Sequence, residues 1–336
     1  MKDGRATSER ETYRRVLRDL RRLYGRTPAD EFSPTKLKAI RQIWIDKGFV
    51  RSSINRDVGR LIRVFKWGIE NELVAAGVVH SLQAVAGLRK GRSVAKESSP
   101  VLPVDEAAIE TTLDHLGTIA ADMVRFQRLT GCRPDEVCQV RPMDLDRTGE
   151  VWTYKPESHK TEHHGRDRTI FIGPKAQAIL APYLFRDAGS FCFSPAEAEE
   201  QFRRAKREAR KTPLSCGNRA GKNNKRSPKR RPAERYDTNG YRRAIHRACD
   251  RAKIPRWSPN RLRHAAATEI RHKFGLEASQ VVLGHSVSVG AEKEGTSDWQ
   301  LKIPHPAWRW RRLVRCLTRT SSHSSGARHV QSLGNG

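Results

Sequence analysis

The clearest pattern in the sequence is a helical repeat of apolar residues between Ile54 and Ile69. Apolar side chains recur there at the i, i+3 and i+4 spacing of one helix face; they are Ile54, Val58, Leu61, Ile62, Phe65 and Ile69. The other side of this segment is basic, with Arg56, Arg60, Arg63 and Lys66. Ser53 is a candidate N-cap and Gly77 a candidate C-terminal stop. The pattern predicts a helical unit with one apolar face and one basic face.

Further helical segments precede this one. Tyr13–Tyr24 has apolar residues on one side, and Leu37–Trp44 follows Ser33-Pro34, a pair typical of a helix start. Residues 89–103 change character, because they are rich in Lys, Arg, Ser and Pro and lack a period. We therefore predict a helical domain over residues 1–90 and a linker over residues 91–103. The alternative is a helical bundle whose basic face is exposed to solvent and binds no partner.

Helices and one small sheet are predicted for residues 104–289. The helical segments are 104–117, 118–130, 174–184, 193–210, 238–252, 259–274 and 276–283, with Thr238 as a candidate N-cap and Gly275 as a break. Val151–Tyr154 and Thr169–Ile172 are strand-like runs separated by a polar stretch, as in a hairpin. We expect a basic loop over residues 211–235 that is disordered or ordered by DNA. The predicted fold class is mainly α with a small β-sheet.

The chain is strongly basic. It has 65 Lys and Arg against 37 Asp and Glu, a formal net charge of +28. Such an excess favours binding to a polyanion, because basic side chains that neutralise phosphates release condensed counterions. Charge alone does not choose between DNA and RNA, and a solvated basic surface is the alternative.

Several kinds of protein and site are disfavoured. No apolar run approaches the roughly 20 residues that cross a bilayer, and residues 1–15 lack an apolar signal region, so we expect a cytoplasmic protein without a membrane partner. The six cysteines include no Cys-x-x-Cys pair. His159, His163 and His164 cluster beside Lys160, where solvated loop histidines are favoured over a metal site. We expect neither a metal nor a cofactor.

Three separated motifs carry the chemistry. In the first, Thr-Gly-Cys-Arg-Pro-Asp-Glu at residues 130–136, Gly131 ends one helix and Arg133 lies at the turn into the next. A guanidinium in that place can bind two oxygens of one phosphate. Glu136 lies three residues further on and can orient Arg133.

The other two motifs follow later in the chain. The second is His159-Lys160-Thr161 on the predicted hairpin, where a lysine can donate a proton to a leaving oxygen, although most hairpin lysines are only solvated. The third runs from Asn260 to His264 and is followed by Leu283-Gly284-His285. In it, Arg263 supplies a second guanidinium and His285 a donor for a phosphate oxygen.

In this order, the three motifs resemble the catalytic domain of the tyrosine recombinase (phage integrase) family. The N-terminal helices resemble that family's DNA-binding core-binding domain, so the resemblance extends over about residues 10–289 and is carried by the motifs at 130–285. It implies that Arg133 and Arg263 are the two catalytic arginines and Glu136 the acidic residue after the first. Lys160 matches the hairpin lysine, and His285 matches the histidine of the Leu-Gly-His turn.

The resemblance also implies an activity. Members of the family attack a DNA phosphodiester with a tyrosine hydroxyl, form a 3′-phosphotyrosyl intermediate and rejoin strands, in site-specific recombination and integration of mobile elements. No metal or nucleotide is needed, and the arginines stabilise charge on the non-bridging oxygens. The resemblance further implies a C-shaped clamp on double-stranded DNA in the nucleoid, and a homo-tetramer whose subunits exchange C-terminal segments.

Two features depart from the family pattern. Asn260 stands where the family usually has histidine, and asparagine can donate a hydrogen bond but cannot shuttle a proton. The family's tyrosine lies roughly nine residues after the Leu-Gly-His histidine. Here that position is near Glu294, and the last tyrosine of the sequence is Tyr241, within a predicted helix. No nucleophile is therefore assigned, and enzymatic activity stays open at this point.

Residues 290–336 form an atypical tail. Trp299, Trp308 and Trp310 lie among scattered Pro, Arg, Ser and His with little periodicity, so disorder is one interpretation. We hypothesise that the reading frame shifts near Val289; an authentic but divergent segment is the alternative. In the latter part of the chain the helical C-terminal pattern of the family, through which its subunits assemble, is not recognisable.

Three functions compete on the sequence. The first is a recombinase impaired by loss of its nucleophile, and the second is a non-catalytic DNA-binding protein that retains the recombinase clamp. The third is a basic RNA-binding protein. Only 7% of the residues are aromatic and no stacking motif is evident, which disfavours the third.

Overall fold

The computed structural model describes residues 8–158, 168–213 and 233–284. The chain divides into two compact units, Met1–Pro100 and Val101–Gly336. The described part of the first unit is helical, with α1 (Ser8–Tyr24), α2 (Pro34–Asp46), α3 (Arg51–Glu70) and α4 (Ala76–Gln83). Its core is lined by fully buried apolar residues that include Leu37, Ile40, Trp44, Ile54 and Leu61. The predicted apolar face of α3 thus lies in this core.

The start of α2 is confirmed and the start of α3 is corrected. Ser33 caps α2, and Pro34 occupies its first position. The N-cap of α3 is Val50 and not Ser53, because the amides of Ser53 and Ile54 already donate to the Val50 carbonyl. Ser53 is therefore inside the first turn of the helix.

The predicted end of α3 is also corrected. The helix ends at Glu70, and Gly77 lies within α4. The chain folds back at this point against Gly68, where an added Cβ would lie 2.8 Å from Val74 Cγ2. Tertiary packing on a glycine, and not a terminal glycine, therefore sets the length of α3.

The segment after α4 packs on the first unit before the chain enters the second. Lys96 forms a parallel bridge with Val50, and Arg51 Nε lies 2.5 Å from Glu97 Oε1. Ala95 is buried in the same core. The division between the compact units falls after Pro100.

The second unit contains helices around one small sheet. Its helices are α5 (Glu106–Leu113), α6 (Thr118–Thr130), α7 (Pro134–Cys138), α8 (Pro174–Leu180), α9 (Pro195–Glu208), α10 (Thr238–Ala252) and α11 (Asn260–Leu283). Its strands are β1 (Leu145–Asp146), β2 (Trp152–Tyr154) and β3 (Ile170–Ile172), antiparallel in the order β1-β2-β3. The predicted hairpin is confirmed as the β2–β3 pair, with Thr153 opposite Phe171. The fold class, mainly α with a small β-sheet, is confirmed.

In the second unit, the predicted N-cap of one helix is corrected and the predicted break in another is confirmed. The N-cap of α10 is Asp237, whose carboxylate accepts the Gly240 amide, so Thr238 is the first helical residue. Helix α11 contains Gly275 at φ 87° and ψ 176°, which breaks it into the two predicted segments. Residues 214–232 of the predicted basic loop lie outside the described residues.

The core of the second unit places the end of α6 against the end of α11. Met123, Val124 and Phe126 of α6 are fully buried in it. Gly131 then ends α6 at φ 63°, and an added Cβ there would lie 2.8 Å from Leu283 Cδ2. The close approach brings the first and third sequence motifs together. Among the described residues, no helix is both long enough and apolar enough to span a membrane.

Candidate phosphate-binding site

Arg133 is the N-cap residue of α7. Its backbone N–H donates to Glu136 Oε2 at 2.7 Å, and its Nη1 donates to Glu136 Oε1 at 2.8 Å. Pro134 occupies the first helical position, where a missing N–H costs nothing. The Arg133 side chain keeps 20% of its surface exposed. Within the described residues its Nε and Nη2 have no hydrogen-bond acceptor.

Glu136 is the carboxylate that organises this turn. Its side chain is 2% exposed. Burial opposes ionisation, but the charge of Arg168 and the hydrogen bonds from Arg133 outweigh it, and the pKa of Glu136 lies below its usual value. Glu136 is therefore an ionised acceptor. The predicted contact between Glu136 and Arg133 is present.

Arg263 lies in the first turn of α11 and hydrogen-bonds to the ends of two helices, α6 and α11. Its Nη1 donates to the Gly131 carbonyl at 2.8 Å, and its Nη2 donates to the Leu283 carbonyl at 2.5 Å. The first carbonyl lies two residues before Arg133 and the second lies two residues before His285. A single buried guanidinium thus connects the first sequence motif to the third.

The positive charges of this site repel one another. Burial, followed by the charges of Arg133 and Arg168, lowers the pKa of Arg263 to about 10. Arg133 and Arg168 both hydrogen-bond to the Glu136 carboxylate, whose charge partly offsets the effect of these two arginines on Arg263. An anion that entered beside Arg133 would relieve this repulsion.

Arg168 belongs to this group, although the sequence did not single it out. Its Nε donates to Glu136 Oε1 at 3.2 Å and its Nη1 to the Val282 carbonyl at 3.2 Å. Residues 168, 170 and 172 are buried while 169 and 171 are partly exposed. The alternation of a strand therefore places Arg168 on the same inward face as Ile170 and Ile172, and this pattern was the signal that could have found it.

Asn260 is not joined to the arginine group by any described hydrogen bond. It lies at the exposed start of α11, where its Nδ2 is 3.1 Å from His264 Nε2. Lys160 and His285 lie outside the described residues, as do His159, His163 and His164. The position near Glu294 and the tail from residue 290 lie outside them as well.

Three tyrosine hydroxyls of the second unit are hydrogen-bonded within that unit. Tyr241 is fully buried, donates to Gln127 Oε1 at 3.0 Å, and has a pKa raised well above its usual value by burial. Tyr154 donates to the Glu136 carbonyl at 2.9 Å, and burial raises its pKa too. Tyr183 donates to Asp122 Oδ2 at 2.6 Å. The hydroxyls of Tyr154 and Tyr241 are therefore held inside the core of the second unit.

The described residues contain no group of three or more His, Cys, Asp or Glu side chains suited to a metal ion. The four described cysteines, Cys132, Cys138, Cys192 and Cys249, are buried and unpaired by disulfides. Burial raises the pKa of Cys132 to about 12, so its thiol stays neutral beside Arg133. The chemistry of the described site is that of guanidinium groups and one carboxylate.

The fold is shared with solved recombinases. It is similar to a lambda integrase dimer bound to a COC′ core site, with a TM-score of 0.59 and 14% identity over 87% of this chain and 93% of that chain. It is similar to a lambda integrase tetramer bound to a Holliday junction, with a TM-score of 0.57 and 14% identity over 86% of this chain and 75% of that chain. It is also similar to the Tn1549 transposon integrase in complex with circular intermediate DNA, with a TM-score of 0.53 and 16% identity over 84% of this chain and 88% of that chain.

The sequence itself matches a family. No curated protein matches this chain in sequence. The model of the phage integrase family matches residues 105–289, which is more than half of the 336 residues and includes all three motifs. The chain therefore belongs to the phage integrase family, the tyrosine recombinases.

Proposed function

We propose that this protein acts in site-specific DNA recombination by clamping double-stranded DNA and holding one phosphodiester at the arginine group around Glu136. The excess of guanidinium charge over carboxylate in that group carries the proposal. Arg133 and Arg168 hydrogen-bond to one ionised carboxylate. The pKa of Arg263 falls to about 10 because of burial and of the charges of these two arginines. A phosphate is the ligand that such a group stabilises best.

Each residue then has a role in holding the phosphate. The partly exposed Arg133 binds a non-bridging oxygen with the N–H groups that Glu136 does not use. Arg263 fixes the loops on both sides and adds positive charge. Lys160 and His285 complete the group as proton donor and hydrogen-bond donor, and Asn260 as a further hydrogen-bond donor. These arginines are set before the ligand arrives, so binding needs little reorganisation.

The covalent step is the part that we propose is impaired. No tyrosine follows Tyr241 in the sequence, and the hydroxyl of Tyr241 is buried against Gln127. The alternative function, a non-catalytic DNA-binding protein with the recombinase clamp, is favoured by the same observation. In either case the protein works on DNA, which we expect to be that of a mobile element in the cytoplasm. Solved relatives include a DNA-bound tetramer, and we propose a tetramer here only if the C-terminal tail supplies the exchanged segment.

The test is a nicked duplex that traps any covalent intermediate. We expect the full chain to retard this DNA in a native gel and to leave no denaturation-resistant protein–DNA adduct. Arg133→Ala should keep non-specific retardation with weaker affinity, because one phosphate contact of several is lost. A covalent adduct with the unmodified chain would contradict the impairment. Unchanged affinity after Arg133→Ala would contradict the phosphate site.

A further inference from the structure

Arg168 lies buried two residues before β3 and contacts two parts of the phosphate-binding group at once. We infer that Arg168 is a positioning residue that fixes Arg133 and the Val282–Gly284 turn in one geometry. The inference rests on the function proposed above and adds to it a residue that binds no phosphate itself. It is carried by burial, by four hydrogen bonds and by one close backbone approach.

The burial of Arg168 is unusual for its residue type. Its side chain is 4% exposed, and arginine is rarely buried to this extent unless it is paired. Its Nε and Nη2 donate to the Glu136 carboxylate at 3.2 and 3.5 Å. Its Nη1 donates to the carbonyls of Val282 at 3.2 Å and Thr169 at 3.4 Å. All three nitrogens of the guanidinium therefore have acceptors.

The first consequence concerns Arg133. Each carboxylate oxygen of Glu136 accepts from both arginines, since Oε1 binds Arg133 Nη1 and Arg168 Nε, and Oε2 binds the Arg133 amide and Arg168 Nη2. Arg168 thus fixes the plane of the carboxylate. That plane in turn fixes the direction in which the Arg133 guanidinium points.

The second consequence concerns the turn at the end of α11. Val282 is in the last turn of that helix, and Gly284 follows it at φ 62°. An added Cβ on Gly284 would lie 2.6 Å from Arg168 Nη1, so the backbone approaches the guanidinium as closely as only glycine permits. His285 is the next residue in sequence. Arg168 therefore sets where the chain leaves α11.

Only arginine can make both connections. Its three nitrogens lie in one plane and point in different directions, toward Glu136 and toward Val282. A lysine has one nitrogen at the end of a flexible stem, so it can keep the positive charge near Glu136 but cannot hold both acceptors. The variant Arg168→Lys therefore keeps the positive charge of this residue and removes its hydrogen-bond geometry.

The experiment measures counterion release by the full chain, since this readout depends on phosphate contacts and not on thermal stability. Affinity for a labelled duplex of about 30 base pairs is followed against salt concentration, well below the unfolding temperature. We expect Arg133→Ala to lower the slope of log K against log salt by about 1. Arg168→Lys should lower the slope by a similar amount although net charge is unchanged. The double variant should show no further decrease, because both changes remove the same contact.

Arg186 supplies a matched control. Its guanidinium also joins a carboxylate, Glu197, to a carbonyl, that of Phe191, but it has no described hydrogen bond to the arginine group. Arg186→Lys should therefore leave the salt slope unchanged. If Arg168→Lys does not fold, Gly284→Ala disturbs the same guanidinium while Arg168 remains, and it should also lower the slope.

The outcomes separate the two proposals. A lower slope for Arg133→Ala with an unchanged slope for Arg168→Lys overturns the positioning role and leaves the phosphate site standing. An unchanged slope for Arg133→Ala overturns both. A decrease for Arg186→Lys equal to that for Arg168→Lys means that any arginine joining a carboxylate to a carbonyl has this effect, which also overturns the positioning role.

Discussion

Each unit of this protein contains a buried carboxylate held by two arginines, and the two clusters differ in their charge balance. In the first unit, Asp57 binds Arg15 at 2.6 Å and Arg60 at 2.9 Å, and Arg60 also binds Glu9 at 2.8 Å. Two arginines therefore face two carboxylates. In the second unit, Glu136 is the one described carboxylate among Arg133, Arg168 and Arg263.

The pKa values of the arginines respond in opposite directions. The hydrogen bond from Arg60 to Glu9 raises the pKa of Arg60, with Asp57 adding to the effect. Burial and the charges of Arg133 and Arg168 lower the pKa of Arg263. The balanced cluster joins α1 to α3 and pairs each of its arginines with a carboxylate. An unbalanced cluster is stable only because the fold enforces it, and it gains from a bound anion, which is how a phosphate site differs from a structural ion pair.

The largest difference should appear when each central carboxylate is neutralised. Glu136→Gln leaves Arg168 buried without a counter-charge, and we expect the second unit to lose about 3–5 kcal/mol of unfolding free energy. Asp57→Asn should cost the first unit only about 1–2 kcal/mol, because Arg60 keeps Glu9 and Arg15 is 37% exposed to water. Urea unfolding of the whole chain, with hydrogen exchange of amides in α3 and α6, measures the two units separately.

Equal losses in the two units would remove the distinction between the clusters. A larger loss for Asp57→Asn would reverse it, and Arg15 and Arg60 would then be the more strained pair. Glu9→Gln provides the control, since it leaves both Asp57 contacts in place and should cost less than Asp57→Asn.

Local patterns predicted the parts of this structure that depend on neighbours in sequence. Pro134 after Arg133, with Glu136 three residues on, indicated a helix start and the arginine–carboxylate contact that the structure contains. The strand-like run of β-branched and aromatic residues at 169–172 indicated β3. Both follow from backbone geometry within a few residues, which is why they could be predicted.

Features that depend on distant partners were missed. No role was assigned to Arg168 from the sequence, because its partner Glu136 lies 32 positions earlier and nothing local indicates that the two meet. The end of α3 was misplaced for the same reason, since it depends on Val74 packing over Gly68. The strand β1 has only two residues, so it has no recognisable sequence pattern, and it is formed by its pairing with β2.

A smaller effect should distinguish the clusters by their affinity for DNA. Arg133→Ala and Arg60→Ala each remove one positive charge. All three guanidinium nitrogens of Arg60 have carboxylate acceptors, whereas Nε and Nη2 of Arg133 have none among the described residues. We expect Arg133→Ala to weaken binding to duplex DNA about tenfold, which corresponds to about 1.4 kcal/mol. Arg60→Ala should change affinity less than about twofold. Fluorescence anisotropy at one fixed salt concentration measures both, and equal losses would mean that net charge, not the balance of each cluster, governs binding.

The smallest effect that we expect is a difference in acid sensitivity. Burial alone would raise the pKa of Glu136, but Arg168 and Arg133 outweigh it, so its folded pKa lies below the usual 4.5. A carboxyl of this kind gives up its proton more readily in the folded state. Its contribution to stability is complete above pH 4.5 and is lost as the pH falls through the folded pKa, with a slope of at most about 1.4 kcal/mol per pH unit. Between pH 6 and about 3.5, the unfolding free energy of Glu136→Gln should therefore fall less steeply than that of the unmodified chain.

Asp19 provides the corresponding case in the first unit. Burial raises the pKa of Asp19, but the hydrogen bonds from Lys47 and Trp44 lower it by more. Asp19→Asn should therefore make the stability of that unit alone less dependent on pH. If Glu136→Gln and the unmodified chain lose stability in parallel, Glu136 does not titrate differently on folding, and the arginines around it are not held by its charge.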